Sequence, residues 1–171
     1  AEAYSNMGNA LYSNDNHSAA IVAYKKAISI KPDYAEVYYN MGIALKELGK
    51  LENAVASYQK TIELKPDYAE AYNNMGIVLK EQGKLDDAID AYSKAIEINP
   101  DYAIAYNNMG NAYNRLGAED AALAAYNKAV EINPKDADAY NNIGIILYKQ
   151  GKLDEALHNF KKSISIHPDY H

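Results

Sequence analysis

The chain contains no cysteine, and this absence excludes several kinds of chemistry together. Without thiols there is no disulfide bond, no thiol nucleophile and no thiolate metal site, and the composition fits a reducing compartment. The four histidines include no pair at metal-ligand spacing within a predicted helix, and no motif places serine, histidine and aspartate together. We therefore expect no catalytic residue, no metal and no cofactor, so that the protein is not an enzyme, and we expect it to be cytoplasmic.

Long apolar runs and an excess of positive charge are also missing. No run approaches the roughly 18 residues that a membrane-spanning helix needs, and no signal segment opens the chain. The formal net charge is −6, whereas binding to a phosphate backbone needs clustered Lys and Arg. The sequence thus predicts neither a membrane nor a nucleic-acid partner. Because it begins at Ala1 without an initiator methionine, we expect it to be excised from a longer chain.

What the chain does contain is a repeat of 34 residues, present five times without insertion or deletion. The repeats, which we expect to form a single array over 1–171, are 1–34, 35–68, 69–102, 103–136 and 137–170. In each repeat the apolar residues fall at positions 4, 7 and 11 and again at 20, 21, 24 and 28, which is helical spacing twice over. A proline at position 32 ends the second helix. Each repeat is therefore predicted to be a helix-turn-helix hairpin.

Glycine has two predicted roles in these hairpins. Between the two helices of repeats two to five it suits a left-handed C-cap, and in repeat one Asn and Asp tolerate the same conformation. These turn glycines are Gly49, Gly83, Gly117 and Gly151. A second glycine, at position 8 inside every first helix, predicts close packing. We expect Gly76 to face the small Ala88 of the partner helix, with Tyr72 and Tyr92 filling the space beside them.

The recurring residues, in the order Y-x2-M-G-x2-L, A-x3-Y and P, resemble the tetratricopeptide repeat in period and in the alternation of small and large side chains. The match extends over 170 of 171 residues, with tyrosine in place of the family's usual tryptophan at position four. The resemblance implies an all-α, right-handed superhelical solenoid of five helix-turn-helix repeats. It also implies a concave groove, lined by the first helices, that binds an extended peptide or a partner protein.

Asparagine recurs at position six of every repeat. At 100° per residue, positions 2, 6, 9 and 13 form a stripe roughly opposite the buried stripe, and in the family this stripe lines the groove. A carboxamide both donates and accepts hydrogen bonds, so a ladder of asparagines can pair with successive peptide groups of an extended chain. Such a ladder resembles that of O-linked N-acetylglucosamine transferases, where groove asparagines hold polypeptide substrates. The alternative is that solvated asparagines were copied with each duplicated repeat.

The predicted peptide-binding residues are the ladder asparagines and the amide, aromatic and basic side chains around them. They are Asn6, Asn40, Asn74, Asn108, Asn142, Tyr39, Asn73, Asn107, Lys46, Lys80, Asn111 and Arg115. For the basic residues the alternative is stabilisation of the helix dipole in a last turn. The family's carboxylate clamp is rejected, because Asn9 and Asn40 match it but its three cations are missing and Glu70 would repel a carboxylate.

These observations predict a protein-protein interaction scaffold. Two alternatives stay open: the substrate-recruiting region of a larger enzyme such as a glycosyltransferase, and a self-assembling or designed structural scaffold. Repeat arrays need a polar cap over the final apolar face, and little chain follows the helix that carries Leu157, Phe160 and Ile164. We therefore expect either self-association through the C-terminal repeat or a further helix beyond His171.

Overall fold

The structure is a computed structural model that describes residues 1–167 of the chain. Pro168 and Tyr170, which the repeat pattern assigns to the end of repeat five, lie outside the described residues. The described part consists of ten helices and contains no strand: α1 (Glu2–Ser13), α2 (His17–Ile30), α3 (Ala35–Glu47), α4 (Leu51–Leu64), α5 (Ala69–Glu81), α6 (Leu85–Ile98), α7 (Ala103–Arg115), α8 (Glu119–Ile132), α9 (Ala137–Lys149) and α10 (Leu153–Ile166). The predicted all-α helical-repeat class is confirmed. In residues 1–167 no helix has the length and apolarity to cross a membrane.

Each repeat is one hairpin, and the turn between its two helices adopts the predicted left-handed conformation. The turn glycines of repeats two to five have φ between 67° and 78°. In repeat one, which has no glycine there, Asp15 takes this role with φ 54°. Because side chains of Asp and Asn bond locally to the backbone, these residues tolerate a conformation that most others avoid. The hairpin boundaries therefore follow from the turn residues.

The chain divides into two compact units, Ala1–Ile98 and a second that begins at Asn99. In the first unit the second helix of one repeat packs on the first helix of the next, α2 on α3 and α4 on α5, and α3 also touches α1 and α5. In the second unit α8 packs on α9 in the same way. Each unit is thus stabilised by neighbouring helices in sequence order, as expected for repeat proteins.

The core of each hairpin is organised around the aromatic residue at position 24. Tyr24, Tyr58, Tyr92 and Tyr126 are almost fully buried. Each ring lies over the glycine at position 8 of the partner helix, and a Cβ built on Gly76 would lie 2.6 Å from Tyr92 Cε1. The three atoms nearest to that Cβ all belong to Tyr92, so the tyrosine ring fills the space that we predicted for Ala88. The glycine makes room for an aromatic ring.

Candidate functional site

The predicted ladder lies on the first helices, in α1, α3, α5, α7 and α9, as the periodicity indicated. Of the five ladder asparagines Asn6 is exposed, and the other four are half-buried. A stripe roughly opposite the buried one would leave Asn74 and Asn108 exposed, and the structure does not bear this out. Asn40, Asn74 and Asn142 donate hydrogen bonds to the preceding repeat, which the helical stripe alone does not show.

In the first unit the ladder asparagine of repeat two is bonded to repeat one. Asn40 Nδ2 donates a hydrogen bond of 3.1 Å to Asn9 Oδ1. The same oxygen accepts a bond of 2.9 Å from the Tyr24 hydroxyl. Asn9 thus joins three helices, because Tyr24 lies on α2 and Asn40 on α3. Burial raises the pKa of Tyr24 to about 12, so its hydroxyl keeps the donating proton at neutral pH.

The same three-residue arrangement is present in the second unit. Asn142 Nδ2 donates to Asn111 Oδ1 at 3.2 Å, and the Tyr126 hydroxyl donates to the same oxygen at 2.8 Å. Burial again raises the pKa of the tyrosine to about 12. Asn9 and Asn111 both occupy position 9 of their repeats. The two asparagines of each arrangement are called an asparagine pair below. The two asparagine pairs are Asn9 with Asn40, and Asn111 with Asn142.

Between repeats two and three a different acceptor replaces the asparagine. Asn74 Nδ2 donates to the Tyr39 hydroxyl at 2.9 Å, and Asn73, which is buried, donates to Asn74 Oδ1 at 3.3 Å. The Tyr39 ring stacks on Tyr68 with centroids 4.9 Å apart and an angle of 30° between planes. These contacts bring the predicted residues Tyr39, Asn73 and Asn74 together at one place.

Repeats two and three carry isoleucine at position 9, and this changes the environment of the buried tyrosines. Ile43 and Ile77 offer no side-chain acceptor, and the hydroxyls of Tyr58 and Tyr92 are buried without a hydrogen-bond partner among the described residues. Burial raises the pKa of both tyrosines. Repeat five has isoleucine at this position as well, and there the aromatic residue at position 24 is phenylalanine, which has no hydroxyl.

Two hollows lie on the first-helix face. One, of about 190 Å³, is lined by the first asparagine pair together with Tyr12, Ser13, Tyr24 and Ile43. The other, of about 450 Å³, lies in the second unit and is lined by residues that include Asn107, Asn108, Asp136 and Asp138. Asn107 Nδ2 donates to Asp136 Oδ2 at 3.3 Å, while its Oδ1 is buried without a partner in residues 1–167. The predicted residues Asn107 and Asn108 therefore share this second hollow.

The predicted basic residues lie in the last turns of first helices. Lys46 is half-buried, and its Nζ lies 3.4 Å from the carboxylate of Glu47. Lys80 is half-buried near the end of α5, and Arg115 is exposed at the end of α7. None of the three lines either hollow on the first-helix face. Their predicted role in peptide binding stays a prediction.

Asn9 is the residue of the candidate site that the prediction omitted. Its position carries isoleucine in repeats two, three and five, and asparagine only in repeats one and four. An amide at a position that is otherwise apolar is the signal that could have identified it. The corresponding Asn111 was included in the predicted site, and the structure gives both residues the same two donors.

Comparisons with known proteins agree with the hairpin architecture. The family model for the TPR repeat matches residues 8–49, 44–83 and 76–117, and that for the tetratricopeptide repeat matches residues 101–169. No curated protein sequence matches the chain. A crystal structure of MamA is 32% identical, with 94% of each chain covered and a TM-score of 0.88.

Two further solved structures have the same fold. MamA from Desulfovibrio magneticus RS-1, from residue 41 to its end, is 23% identical with a TM-score of 0.88, and the match covers 99% of this chain and 96% of that one. YrrB, described as a TPR protein with an unusual peptide-binding site, is 25% identical with a TM-score of 0.78. That match covers 98% of this chain and 86% of YrrB.

Proposed function

The chain belongs to the tetratricopeptide-repeat family, and on this premise we propose that it is a protein-protein interaction scaffold whose first-helix face binds an extended peptide without performing chemistry. The two asparagine pairs are the observation that carries the proposal. The similarity to YrrB, itself a peptide-binding TPR protein, supports it further. Recruitment of a substrate to a larger enzyme, such as a glycosyltransferase, would use the same face and stays a prediction.

Each asparagine pair has one amide nitrogen and one carbonyl oxygen that carry no hydrogen bond within residues 1–167 and are left for a ligand. Asn9 Oδ1 already accepts two hydrogen bonds, and Asn40 Nδ2 already donates one. Asn9 Nδ2 and Asn40 Oδ1 carry no hydrogen bond within residues 1–167. A donor beside an acceptor is the complement of a peptide group, whose carbonyl accepts and whose N–H donates. The pair therefore suits the main chain of a ligand and does not depend on its side chains.

The bonds within each pair also hold the amides in place before a ligand arrives. Asn40 is fixed by Asn9, and Asn9 is fixed by the buried hydroxyl of Tyr24. Ordering a free side chain on binding costs about 0.5–1.5 kcal/mol, and a preorganised amide avoids much of this loss. The second pair is held by Tyr126 in the same way.

The charges near the Tyr39–Tyr68 stack are of both signs, since Lys65 Nζ lies 4.8 Å from the centroid of the Tyr68 ring. Glu36 and Glu70 are exposed in the first turns of α3 and α5. Burial raises the pKa of Tyr68, and the fields of Glu70 and Glu36 raise it further, so both carboxylates act at this ring.

The experiment selects peptides from a random library displayed on phage and measures the affinity of a selected synthetic peptide by fluorescence anisotropy. The variant Asn40→Ala with Asn142→Ala removes one acceptor from each pair and should weaken binding by about tenfold to a hundredfold. Asn127→Ala, an exposed change on the second helix α8, is the matched control and should bind as the unchanged protein does. Circular dichroism verifies that each variant keeps its helix content.

Two results would contradict the proposal. One is a selected peptide that binds the double variant and the control variant with the same affinity. The other is a selection that enriches no peptide at all, because a preorganised face of this kind should capture some sequences from a large library.

A further inference from the structure

The hollow beside the first asparagine pair has a lining without formal charge. Its volume is about 190 Å³, and side chains from α1, α2 and α3 line it: Asn9, Tyr12, Ser13, Tyr24, Asn40 and Ile43. Around Tyr12 the fields of Lys46 and Glu47 have opposite signs, and these two side chains form an ion pair of 3.4 Å. A charged side chain that entered the hollow would lose hydration without gaining an opposite charge from the lining. The hollow therefore favours a neutral occupant.

The apolar part of this lining comes from Tyr12 on α1 and Ile43 on α3. Both side chains are half-buried, so each keeps some surface for a ligand. The Tyr12 ring also packs against His17, with ring centroids 4.9 Å apart and 41° between planes, and this contact holds the ring in place. An apolar cavity of about 150 Å³ is large enough to bind benzene. The hollow thus has room for one aromatic side chain.

The second asparagine pair has the same residue types around it except at positions 12 and 13. The matching residues of the second unit, which correspond to Asn9, Tyr24, Asn40 and Ile43, are Asn111, Tyr126, Asn142 and Ile145. Position 12 is Tyr12 in repeat one and Asn114 in repeat four, and position 13 changes from Ser13 to Arg115. The aromatic wall and the uncharged lining therefore distinguish the first pair from the second.

We infer that this hollow is the side-chain subsite of the first asparagine pair and accepts an aromatic residue, phenylalanine or tyrosine, of the bound peptide. The inference rests on the proposed function, in which the pair holds a peptide group of the ligand. Asn9 and Asn40 belong both to the pair and to the lining, so the side chain next to that peptide group lies at the hollow. Aromatic rings that pack offset or edge to face gain energy beyond their area burial, which an aliphatic side chain does not. Tyr12 is therefore the residue that determines the specificity.

The experiment uses the full chain with Asn142→Ala, which disables the second pair, and selects peptides on it from the random phage library. The enriched peptides should share a phenylalanine or tyrosine at one position. In a synthetic peptide with phenylalanine there, replacing it by leucine should weaken binding by about threefold to tenfold in fluorescence anisotropy. Tyr12→Phe keeps the ring and should keep this preference. Tyr12→Asn, which introduces the residue type of repeat four, should abolish it.

A matched control makes the same substitution elsewhere in the array. Tyr148 occupies position 12 of repeat five, is 63% exposed and lines neither hollow of the first-helix face, so Tyr148→Asn should keep the preference for phenylalanine. The readout compares two peptides on one variant, and a general loss of stability would weaken both alike.

The outcomes separate this inference from the proposed function. Equal affinity for the phenylalanine and leucine peptides, or a preference that survives Tyr12→Asn, overturns the inference and leaves the proposed function intact. If the selected peptide binds equally well after Asn40→Ala is added, the proposed function fails and the inference fails with it.

Discussion

Tyr126 and Tyr92 occupy the same position of their repeats and are both fully buried, yet removing their hydroxyls should have opposite effects on stability. The Tyr126 hydroxyl donates a 2.8 Å hydrogen bond to Asn111, and Tyr126→Phe deletes it. The Tyr92 hydroxyl is buried with no partner in the described part of the chain, and Tyr92→Phe deletes only an unsatisfied group. The protein uses phenylalanine itself at the equivalent position of repeat five.

The magnitudes follow from the two environments. A typical buried hydrogen bond contributes about 0.5–1.5 kcal/mol, so Tyr126→Phe should lower the free energy of unfolding by about 1 kcal/mol. Asn111 Oδ1 keeps its bond from Asn142 in that variant and is not left without a donor. An unsatisfied buried group costs about 1–3 kcal/mol, so Tyr92→Phe should be neutral or raise stability by about 1 kcal/mol. The two variants should then differ by about 2–8 °C in melting temperature, since 1 kcal/mol shifts the melting temperature of a chain of this size by about 2–4 °C.

Urea and thermal unfolding are followed by circular dichroism for Tyr126→Phe, for Tyr92→Phe and for Asn111→Ile. The double variant Tyr126→Phe with Asn111→Ile is measured in the same way. The double variant reproduces the isoleucine and phenylalanine combination of repeat five. A double-mutant cycle with the two single changes should give a coupling of about 1 kcal/mol, since the hydrogen bond is the interaction that the two residues share.

One result would refute this reasoning directly. If Tyr92→Phe lowers stability as much as Tyr126→Phe, then the hydroxyl of Tyr92 is satisfied in solution. The difference between isoleucine and asparagine at position 9 would then have no energetic consequence for the tyrosine.

Three further predictions concern packing, pH and the first unit. Gly76→Ala should lower the free energy of unfolding in urea by about 1–3 kcal/mol, because the added Cβ would lie 2.6 Å from a buried ring. Gly144→Ala should lower it less, because the ring beside Gly144 is only half-buried and can move. Burial raises the pKa of Tyr24 and Tyr126 to about 12, so the unfolded chain loses these protons first as pH rises. The contribution of these two tyrosines to the free energy of unfolding, measured in urea at a series of pH values, should be intact below about pH 10 and fall between pH 10 and 12. A fragment of residues 1–98 should fold alone with a cooperative transition, since it is a compact unit with its own hydrophobic core, and a helix content near that of a random coil would contradict this.

The hairpins could be predicted from the sequence because their signals are local. Apolar spacing defines the helices, and the turn glycines define where each first helix ends. The predicted partner of Gly76, Ala88, was wrong, and the error has a physical cause. Ala88 and Tyr92 lie four residues apart on one face of α6, and periodicity cannot decide which of two such residues faces the glycine.

The asparagine pairs could be predicted only in part. Counting residues around a helix placed Asn40 and Asn142 on the correct face. Their partners are distant in the chain. Asn9 lies 31 residues before Asn40, and Tyr24, whose hydroxyl also binds Asn9, lies 15 residues after Asn9. These bonds depend on how the helices pack against each other, and a single sequence does not contain that information in any local pattern.

The recurrence of asparagine at position six has a structural reason that needs no ligand. Its amide nitrogen donates a hydrogen bond to the preceding repeat, and the acceptor differs from junction to junction. The acceptor is Asn9 for Asn40, the Tyr39 hydroxyl for Asn74, and Asn111 for Asn142. A residue selected only for solubility would not find a partner at three junctions whose acceptors differ in chemistry. In each asparagine pair, however, the bond that joins the repeats uses the amide nitrogen of position six and leaves its carbonyl oxygen for a peptide N–H. The structural role and the proposed binding role therefore depend on the same hydrogen bond, because it is this bond that fixes the orientation of the amide.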